Sequence, residues 1–146
     1  HRANLSSTLL LCKHAVPLRK KQGSGSSVNI ASIAGIVGRD RRVYPPEMSP
    51  QSIDYASAKS AVIGMTRDLA AHLGPDGIRV NAISPGGFER GQPEAFVTAY
   101  AEKTPLRRMG RDGVDLKGAV LFLSSEASAY VTGHNLVVDG GFTICQ

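Results

Sequence analysis

The sequence predicts an α/β fold with a doubly wound parallel sheet, of which this chain supplies about three strands and their helices. Segments with apolar residues at helical spacing alternate with short continuous apolar runs along the 146 residues. This order is typical of parallel strands that are joined by crossover helices. Because three strands are few for a sheet with helices on both faces, we expect the chain to be part of a larger fold.

Four segments have the periodicity of helices. They cover about residues 4–20, 52–73, 93–103 and 113–124. The second is the clearest, because its apolar residues form one stripe that ends at Gly74-Pro75, a helix-stop signal. The glycine- and serine-rich run 23–26 is predicted to end the first.

Three apolar runs are predicted to be strands. They cover residues 28–32, 78–84 and 135–138. Pro85-Gly86-Gly87 ends the second run, and Asp139-Gly140-Gly141 ends the third. Residues 35–50, between the first strand and the second long helix, are predicted to form a polar loop with three arginines and three prolines.

The composition is ordinary for a soluble globular protein, with 42% hydrophobic and 20% charged residues. No apolar run approaches the roughly 18 residues that a membrane span needs. Cys12 and Cys145 belong to no paired motif, which argues against a disulfide framework or a zinc site. We therefore expect no metal and a reducing, cytoplasmic location.

The net charge of +5 comes largely from arginines in two loop-like stretches. These stretches lack interleaved aromatic residues and so are not typical of nucleic-acid binding. Two interpretations stay open. The arginines either belong to solvated loops or attract a phosphate-bearing cofactor or an acidic substrate.

Tyr55 and Lys59 are the strongest candidates for chemistry. They lie four residues apart on a predicted helix, so their side chains share a face. A free tyrosine has a pKa of about 10, and a nearby ammonium favours the phenolate. Tyr55 would then serve as a general acid and base, with Lys59 as the tuning charge. A surface helix turn is the alternative interpretation of the pair on its own.

Two other segments end at the sheet edge where ligands bind in open α/β sheets. Ser32 ends the first predicted strand, where its hydroxyl would hydrogen-bond a substrate oxygen or merely cap the chain. Pro85-Gly86-Gly87 follows the second strand, where proline fixes the backbone and glycine lets a flat ring approach. A structural turn is the alternative there.

Together these segments resemble the short-chain dehydrogenase/reductase family. The matching segments are Asn4-Leu5, Asn29-Ile30-Ala31-Ser32, Tyr55-x-x-x-Lys59, residues 79–86 and residues 131–141. They occur in the family's order and span nearly the whole chain. The resemblance implies a Rossmann-like fold, NAD or NADP as cofactor, and an oxidoreductase that interconverts a secondary alcohol and a ketone.

The resemblance also implies a role for each matching residue. Tyr55 would be the proton donor and acceptor at the substrate oxygen, which Ser32 would orient. Lys59 would tune Tyr55 and hold the nicotinamide ribose hydroxyls, and Tyr55 would also contact the cofactor. Asn4 would hold a water in a proton relay through Lys59.

The nicotinamide carboxamide would face the backbone around Pro85, Gly86 and Phe88. One departure affects this contact, because Arg90 stands where many members have a threonine.

A second departure is the length of the segment between the serine and the tyrosine. Ser32 and Tyr55 are 23 residues apart, and the family usually has about a dozen. The surplus is the arginine- and proline-rich loop 39–51. Either it shapes substrate choice, with arginines that meet a carboxylate or phosphate, or it is a solvated insertion.

The family's glycine-rich phosphate loop has no counterpart in this sequence. Gly23-Ser24-Gly25 precedes a strand instead of following one, so it is predicted to be a turn. We therefore expect residues 1–146 to be the C-terminal catalytic part of one Rossmann-type domain, with the dinucleotide phosphate-binding part in a longer polypeptide.

Segments within residues 84–96 and 104–110 resemble gluconate 5-dehydrogenase-like members, which implies a sugar or sugar-acid substrate. The alternatives are a 3-oxoacyl-carrier-protein reductase, a non-catalytic binding or regulatory protein on the same fold, and an inactive remnant. By resemblance the protein would be a homotetramer or dimer. Leu10 and Ile63 would then meet a partner subunit or the core of the missing half.

Overall fold

The structure is a computed structural model and describes residues 6–145. Its helices are α1 (Ser7–Gln22), α2 (Ile53–Leu73), α3 (Glu94–Lys103) and α4 (Lys117–Ser124). Its strands are β1 (Gly25–Ile30), β2 (Ile78–Pro85), β3 (Phe88–Glu89), β4 (Gly110–Arg111) and β5 (Asn135–Val138). Strands β1, β2 and β5 form a parallel sheet in the order β1-β2-β5, while β3 and β4 form a separate parallel ribbon. The predicted α/β fold is confirmed.

Helices cover both faces of the three-stranded sheet. On one face, Val80 and Ala82 of β2 pack against buried residues of α2, and Val16 of α1 joins the same layer. On the other face, the Ser26 hydroxyl of β1 donates to the carbonyl oxygen of Leu123 in α4 over 2.7 Å. Since successive side chains of a strand point to opposite faces, α1 and α2 lie on one side of the sheet and α4 on the other.

The first strand differs from its predicted range. It runs from Gly25 to Ile30, because its backbone is paired with β2 over that whole stretch. The sequence predicted a break over residues 23–26, since glycine and serine favour turns. Only Gly23 makes the turn, with a φ of +67°. Ser32 therefore lies just beyond the end of β1, not within it.

The remaining elements follow their predicted ranges closely, with one exception. Helix α4 begins at Lys117, whereas the periodicity predicted a start near residue 113. Gly113 has a φ of +66°, a left-handed conformation that belongs to a turn and not to a right-handed helix.

The loop of residues 35–50 is less polar in its packing than predicted. Val43 is only 4% exposed, and Tyr44 and Met48 pack against the same apolar cluster, which also contains residues of α3. The interpretation as a solvated insertion is wrong for Val43, whose side chain is buried, and Tyr44 and Met48 are partly buried against the same cluster. The loop is thus fixed beside the carboxyl ends of the strands.

Ile63 is a correction to the predicted interface. It is 7% exposed and packs with Ala31 and Ala82 of this same chain, so it is a core residue. The predicted interface position was wrong because a residue off the main apolar stripe of α2 still meets the core of the sheet. Leu10, the other candidate, is 55% exposed.

Within residues 6–145, no helix is both long and apolar enough to cross a membrane. In the same part of the chain, no three His, Cys, Asp or Glu side chains cluster as ligands for a metal ion.

Asn81 ties the centre of β2 to the segment that leads into β5. It is fully buried, its Nδ2 donates to the Val131 carbonyl at 2.9 Å, and its Oδ1 accepts from the His134 amide at 3.0 Å. We expect Asn81→Ala to lower the free energy of unfolding by about 2–4 kcal/mol, because a fully buried side chain is removed, the His134 amide loses its partner and the Val131 carbonyl keeps only the 3.3 Å bond from Arg79. Chemical denaturation measures the loss.

The control is Ser124→Ala, at an exposed position, for which a change within about 0.5 kcal/mol is expected. A similarly small effect of Asn81→Ala would contradict the clamping role of the asparagine.

Candidate active site

A pocket of about 420 Å³ opens at the carboxyl ends of β1 and β2. Seven residues were predicted to be catalytic or to bind the cofactor, and six of them line the pocket, namely Ser32, Tyr55, Lys59, Pro85, Gly86 and Phe88. The seventh predicted residue, Asn4, lies outside the described residues. Parallel strands explain the convergence, since their carboxyl ends meet at one edge of the sheet.

Helix α2 presents Tyr55 and Lys59 to this pocket. The Lys59 ammonium lies 5.6 Å from the centroid of the Tyr55 ring, within the range of a cation–π contact. Its Nζ donates to the carbonyl oxygen of Ile30, the last residue of β1, at 2.8 Å. Burial lowers the pKa of Lys59 from the ordinary lysine value. The ammonium is thus anchored between the end of the strand and the tyrosine.

Ser32 caps the chain, which is one of the two roles that the sequence left open. Its backbone is extended, and its Oγ accepts from the Ala34 amide at 3.2 Å, which caps a short 3-10 turn over Ile33–Gly35. A hydroxyl has one proton to donate as well as its acceptor lone pairs. Capping therefore leaves the Ser32 proton available for an oxygen atom in the pocket.

The turn that carries Ser32 lies directly on the backbone of α2. A Cβ at Gly35 would stand 2.7 Å from the Lys59 carbonyl carbon and from the Ser60 amide nitrogen. The Ser60 hydroxyl donates to the Gly35 carbonyl at 3.0 Å. Because Gly35 has no side chain, the turn can lie this close to α2, and this contact sets the distance between Ser32 and the helix that carries Tyr55.

We expect Gly35→Ala to lower the free energy of unfolding by about 1–3 kcal/mol, because backbone on both sides must move apart. The same shift should reduce kcat/KM by up to roughly 100-fold, since it displaces Ser32 from Tyr55. Denaturation and steady-state kinetics measure the two effects. The matched control is Gly38→Ala, where a Cβ meets nothing within 4 Å. Equal behaviour of the two variants would contradict this role of Gly35.

Tyr100 contacts the turn that follows β2. Its position beside the site was not predicted from the sequence. The Gly87 amide donates to the Tyr100 hydroxyl at 2.6 Å, and a Cβ at Gly87 would stand 2.7 Å from Tyr100 Cζ. Tyr100 also stacks on Phe142 with ring centroids 4.3 Å apart. Burial raises the pKa of Tyr100 to about 12, so its phenol stays protonated near neutral pH. Its role in the site is to position the turn.

The only sequence signal for Tyr100 was its spacing of four residues from Phe96 on a predicted helix. Both side chains are buried in the cluster beneath the pocket. This spacing indicates a core position, and it carries no information about a contact with the turn after β2.

The ribbon of β3 and β4 closes another side of the pocket. The Phe88 ring lies against Gly110, where a Cβ would stand 2.7 Å from Phe88 Cε1. Arg90, which departs from the family pattern, lines the pocket and pairs with Asp112 at 2.7 Å. Hydrogen bonds from the Arg111 and Arg108 side chains hold the pKa of Asp115 well below its usual range. This segment of the wall is therefore fixed by ion pairs.

The comparisons with known proteins agree with the geometry. Residues 1–143 match the family described as enoyl-(acyl carrier protein) reductase. A 3-oxoacyl-[acyl-carrier-protein] reductase from Thermotoga maritima is 36% identical over 97% of this chain and 54% of its own length.

Two solved structures are also similar. A short-chain dehydrogenase from Leptospira borgpetersenii with bound NAD⁺ has 45% identity and a TM-score of 0.89, covering 96% of this chain and 53% of that one. A gluconate 5-dehydrogenase from Burkholderia cenocepacia in complex with NADP and tartrate has 30% identity and a TM-score of 0.87. The match covers 99% of this chain and 55% of that one.

The fold and the pocket at its strand ends define a Rossmann-like α/β protein. With the family match over nearly its whole length, the chain belongs to the short-chain dehydrogenase/reductase family. The chain spans about half the length of the curated relatives it matches.

Proposed function

We propose that this protein is an NAD- or NADP-dependent oxidoreductase that interconverts a secondary alcohol and a ketone. The observation that carries the proposal is the convergence of Ser32, Tyr55 and Lys59 on one pocket, with the Lys59 ammonium 5.6 Å from the Tyr55 ring. A binding module has no need of an ammonium held beside a phenol. The convergence therefore favours an enzyme over a non-catalytic protein on the same fold.

In this mechanism Tyr55 moves the proton. Its Oη gives a proton to the carbonyl oxygen in the reductive direction and takes one from the hydroxyl in the oxidative direction. The Lys59 ammonium places a positive charge 5.6 Å from the centroid of the ring that carries this hydroxyl. The Ser32 hydroxyl donates to the same substrate oxygen and fixes its distance from Tyr55.

The donors at the pocket fit a nicotinamide nucleotide. Lys59 carries three N–H groups, and within residues 6–145 it makes one hydrogen bond, to Ile30, which leaves two N–H groups for ribose hydroxyls. The backbone at Pro85 and Gly86, together with Phe88, lines the pocket beside it, where a flat carboxamide-bearing ring fits. When bound, a nicotinamide supplies or accepts the hydride. The bound NAD⁺ and NADP of the two similar structures support this assignment.

We propose a sugar or sugar acid as the substrate, with Asn4 as part of the proton relay. The gluconate 5-dehydrogenase with tartrate supports the substrate class. The 3-oxoacyl-[acyl-carrier-protein] reductase from Thermotoga maritima favours a second candidate, reduction of a 3-oxoacyl thioester.

The test measures nicotinamide absorbance with the full gene product, both cofactors, gluconate, a panel of secondary alcohols and a 3-oxoacyl thioester. Turnover of gluconate or another polyol supports the first candidate, and turnover of only the thioester supports the second. If the folded protein binds the cofactor and turns over none of these substrates, the proposal that it is an oxidoreductase is refuted.

We further propose a homo-oligomer, a tetramer or a dimer, in the cytoplasm. Support comes from α1, whose leucines Leu10, Leu11 and Leu18 are 55%, 72% and 65% exposed and would be covered in a larger assembly. Light scattering of the full gene product measures the number of subunits, and a monomer would contradict the proposal.

A further inference from the structure

We propose that Arg39 binds a carboxylate of the substrate, so that the protein acts on hydroxy acids and keto acids. This inference rests on the proposed function, because it names the substrate class of the same pocket. Arg39 opens the loop 39–51, which lengthens the connection between Ser32 and Tyr55. Its side chain lines the pocket together with both of these residues.

One terminal nitrogen of the Arg39 guanidinium has a hydrogen-bond partner and the other has none. Its Nη1 donates to the carbonyl oxygen of Gln51. Its Nη2 is buried and is the single buried side-chain nitrogen or oxygen within residues 6–145 that has no hydrogen-bond partner. Leaving a charged donor in this condition is costly. A turn of this side chain towards the pocket would bring Nη2 to an oxygen atom of a bound ligand, which would supply the missing acceptor.

The contact with Gln51 also fixes where the ligand would lie. Gln51 leads into α2, the helix that carries Tyr55 four residues later. The guanidinium is therefore held at the start of the same helix as the acid/base group. An acid bound by Arg39 would be positioned relative to the phenol through one rigid element, which favours reaction at one defined carbon.

The neighbouring acidic residue is not available to neutralise Arg39. Asp40 pairs with Arg42 at 2.8 Å and with Lys103 of α3. In the described part of the chain, no carboxylate lies within ion-pair distance of Arg39. Its positive charge stays uncompensated, as an anion-binding residue requires.

The other charged residues of the pocket also favour an anionic substrate. Arg90 is compensated by Asp112, whereas the Lys59 ammonium bonds a neutral carbonyl oxygen. The pocket thus retains positive charge at Arg39 and Lys59, which attracts an anionic substrate. A carboxylate suits the planar N–H array of a guanidinium better than a neutral hydroxyl does.

The kinetic test compares gluconate with gluconamide, its neutral analogue, in the full gene product. A hydrogen bond to a charged group predicts a preference for gluconate in kcat/KM of roughly 10- to 100-fold. In Arg39→Met this ratio should fall to about one, mainly through KM for the acid. The matched control is Arg41→Met on the same loop, because Arg41 is exposed and does not line this pocket. That variant should keep the ratio.

A binding test needs no turnover. Tartrate should raise the melting temperature of the wild-type protein more than tartramide does, and Arg39→Met should lose this difference. Melting without ligand confirms that the variant is folded.

An equal response of wild type and Arg39→Met to tartrate would overturn the proposal, even in an active oxidoreductase. An Arg39-dependent response in a protein without turnover would instead retain the anion site and refute the proposed function. If Arg39→Met weakens NAD or NADP binding by the same factor as tartrate binding, the guanidinium binds cofactor and the proposal is wrong.

Discussion

Tyr55→Phe should reduce kcat by roughly 10²- to 10⁴-fold, the contribution of a positioned general acid and base. The substitution removes one oxygen atom from a side chain at the pocket wall and leaves the ring beside the Lys59 ammonium. Proton transfer to the substrate oxygen then has no donor on the enzyme. The packing of α2 is unchanged, so the protein should fold and bind the cofactor as before.

Two measurements separate the loss of chemistry from a loss of structure. Fluorescence titration with NADH and NADPH should give the same dissociation constants for Tyr55→Phe and the wild type. Tyr130→Phe is the matched control, since Tyr130 is fully exposed, and its kcat should equal that of the wild type. Retention of full activity by Tyr55→Phe would assign the proton transfer to another group.

Lys59→Met should reduce kcat/KM by roughly 10²- to 10³-fold, as the loss of a preorganised charged donor does in other enzymes. The variant loses the hydrogen bond to the Ile30 carbonyl and the cation beside Tyr55. The dissociation constant of the cofactor should also rise, because the donors for its ribose hydroxyls are gone. Lys117→Met, at an exposed position on α4, is the control for loss of a positive charge.

The pH dependence gives an independent check on Lys59. Burial lowers the pKa of this ammonium, so its charge is lost at a lower pH than the value of about 10.4 for a free lysine. Activity that depends on the charge should therefore fall on the alkaline side before that pH. Lys59→Arg should remove this decline, because a guanidinium stays protonated. A decline that persists in Lys59→Arg would assign the titration to another group.

Local geometry explains why several features could be predicted from the sequence alone. The four-residue spacing of Tyr55 and Lys59 brings their side chains to one face of any α-helix, whatever surrounds it. Strand β5 has its predicted bounds, Asn135–Val138, because an apolar run between turn residues defines it. The convergence of Ser32 and Pro85 on one edge follows from the parallel order of the strands.

Long-range contacts decided the rest. The ribbon of β3 and β4 consists of two residues per strand, too short for any periodicity, and exists because Phe88 and Gly110 meet through space. Gly25 belongs to a strand because β2 lies beside it, against the local preference for a turn. Tyr100 contacts Gly87 from 13 residues away.

The loop 39–51 shows the difference most clearly. Its composition predicted either a loop that shapes substrate choice or a solvated insertion, and the structure shows that its residues have different surroundings. Arg41 is exposed, whereas Val43 is buried in the cluster beneath the pocket and Arg39 lines the pocket itself. A sequence determines the faces and the breaks of its helices and strands, because these depend on neighbours along the chain. Which charge of a loop stays without a partner depends on the groups that packing brings against it, and only the tertiary structure decides that.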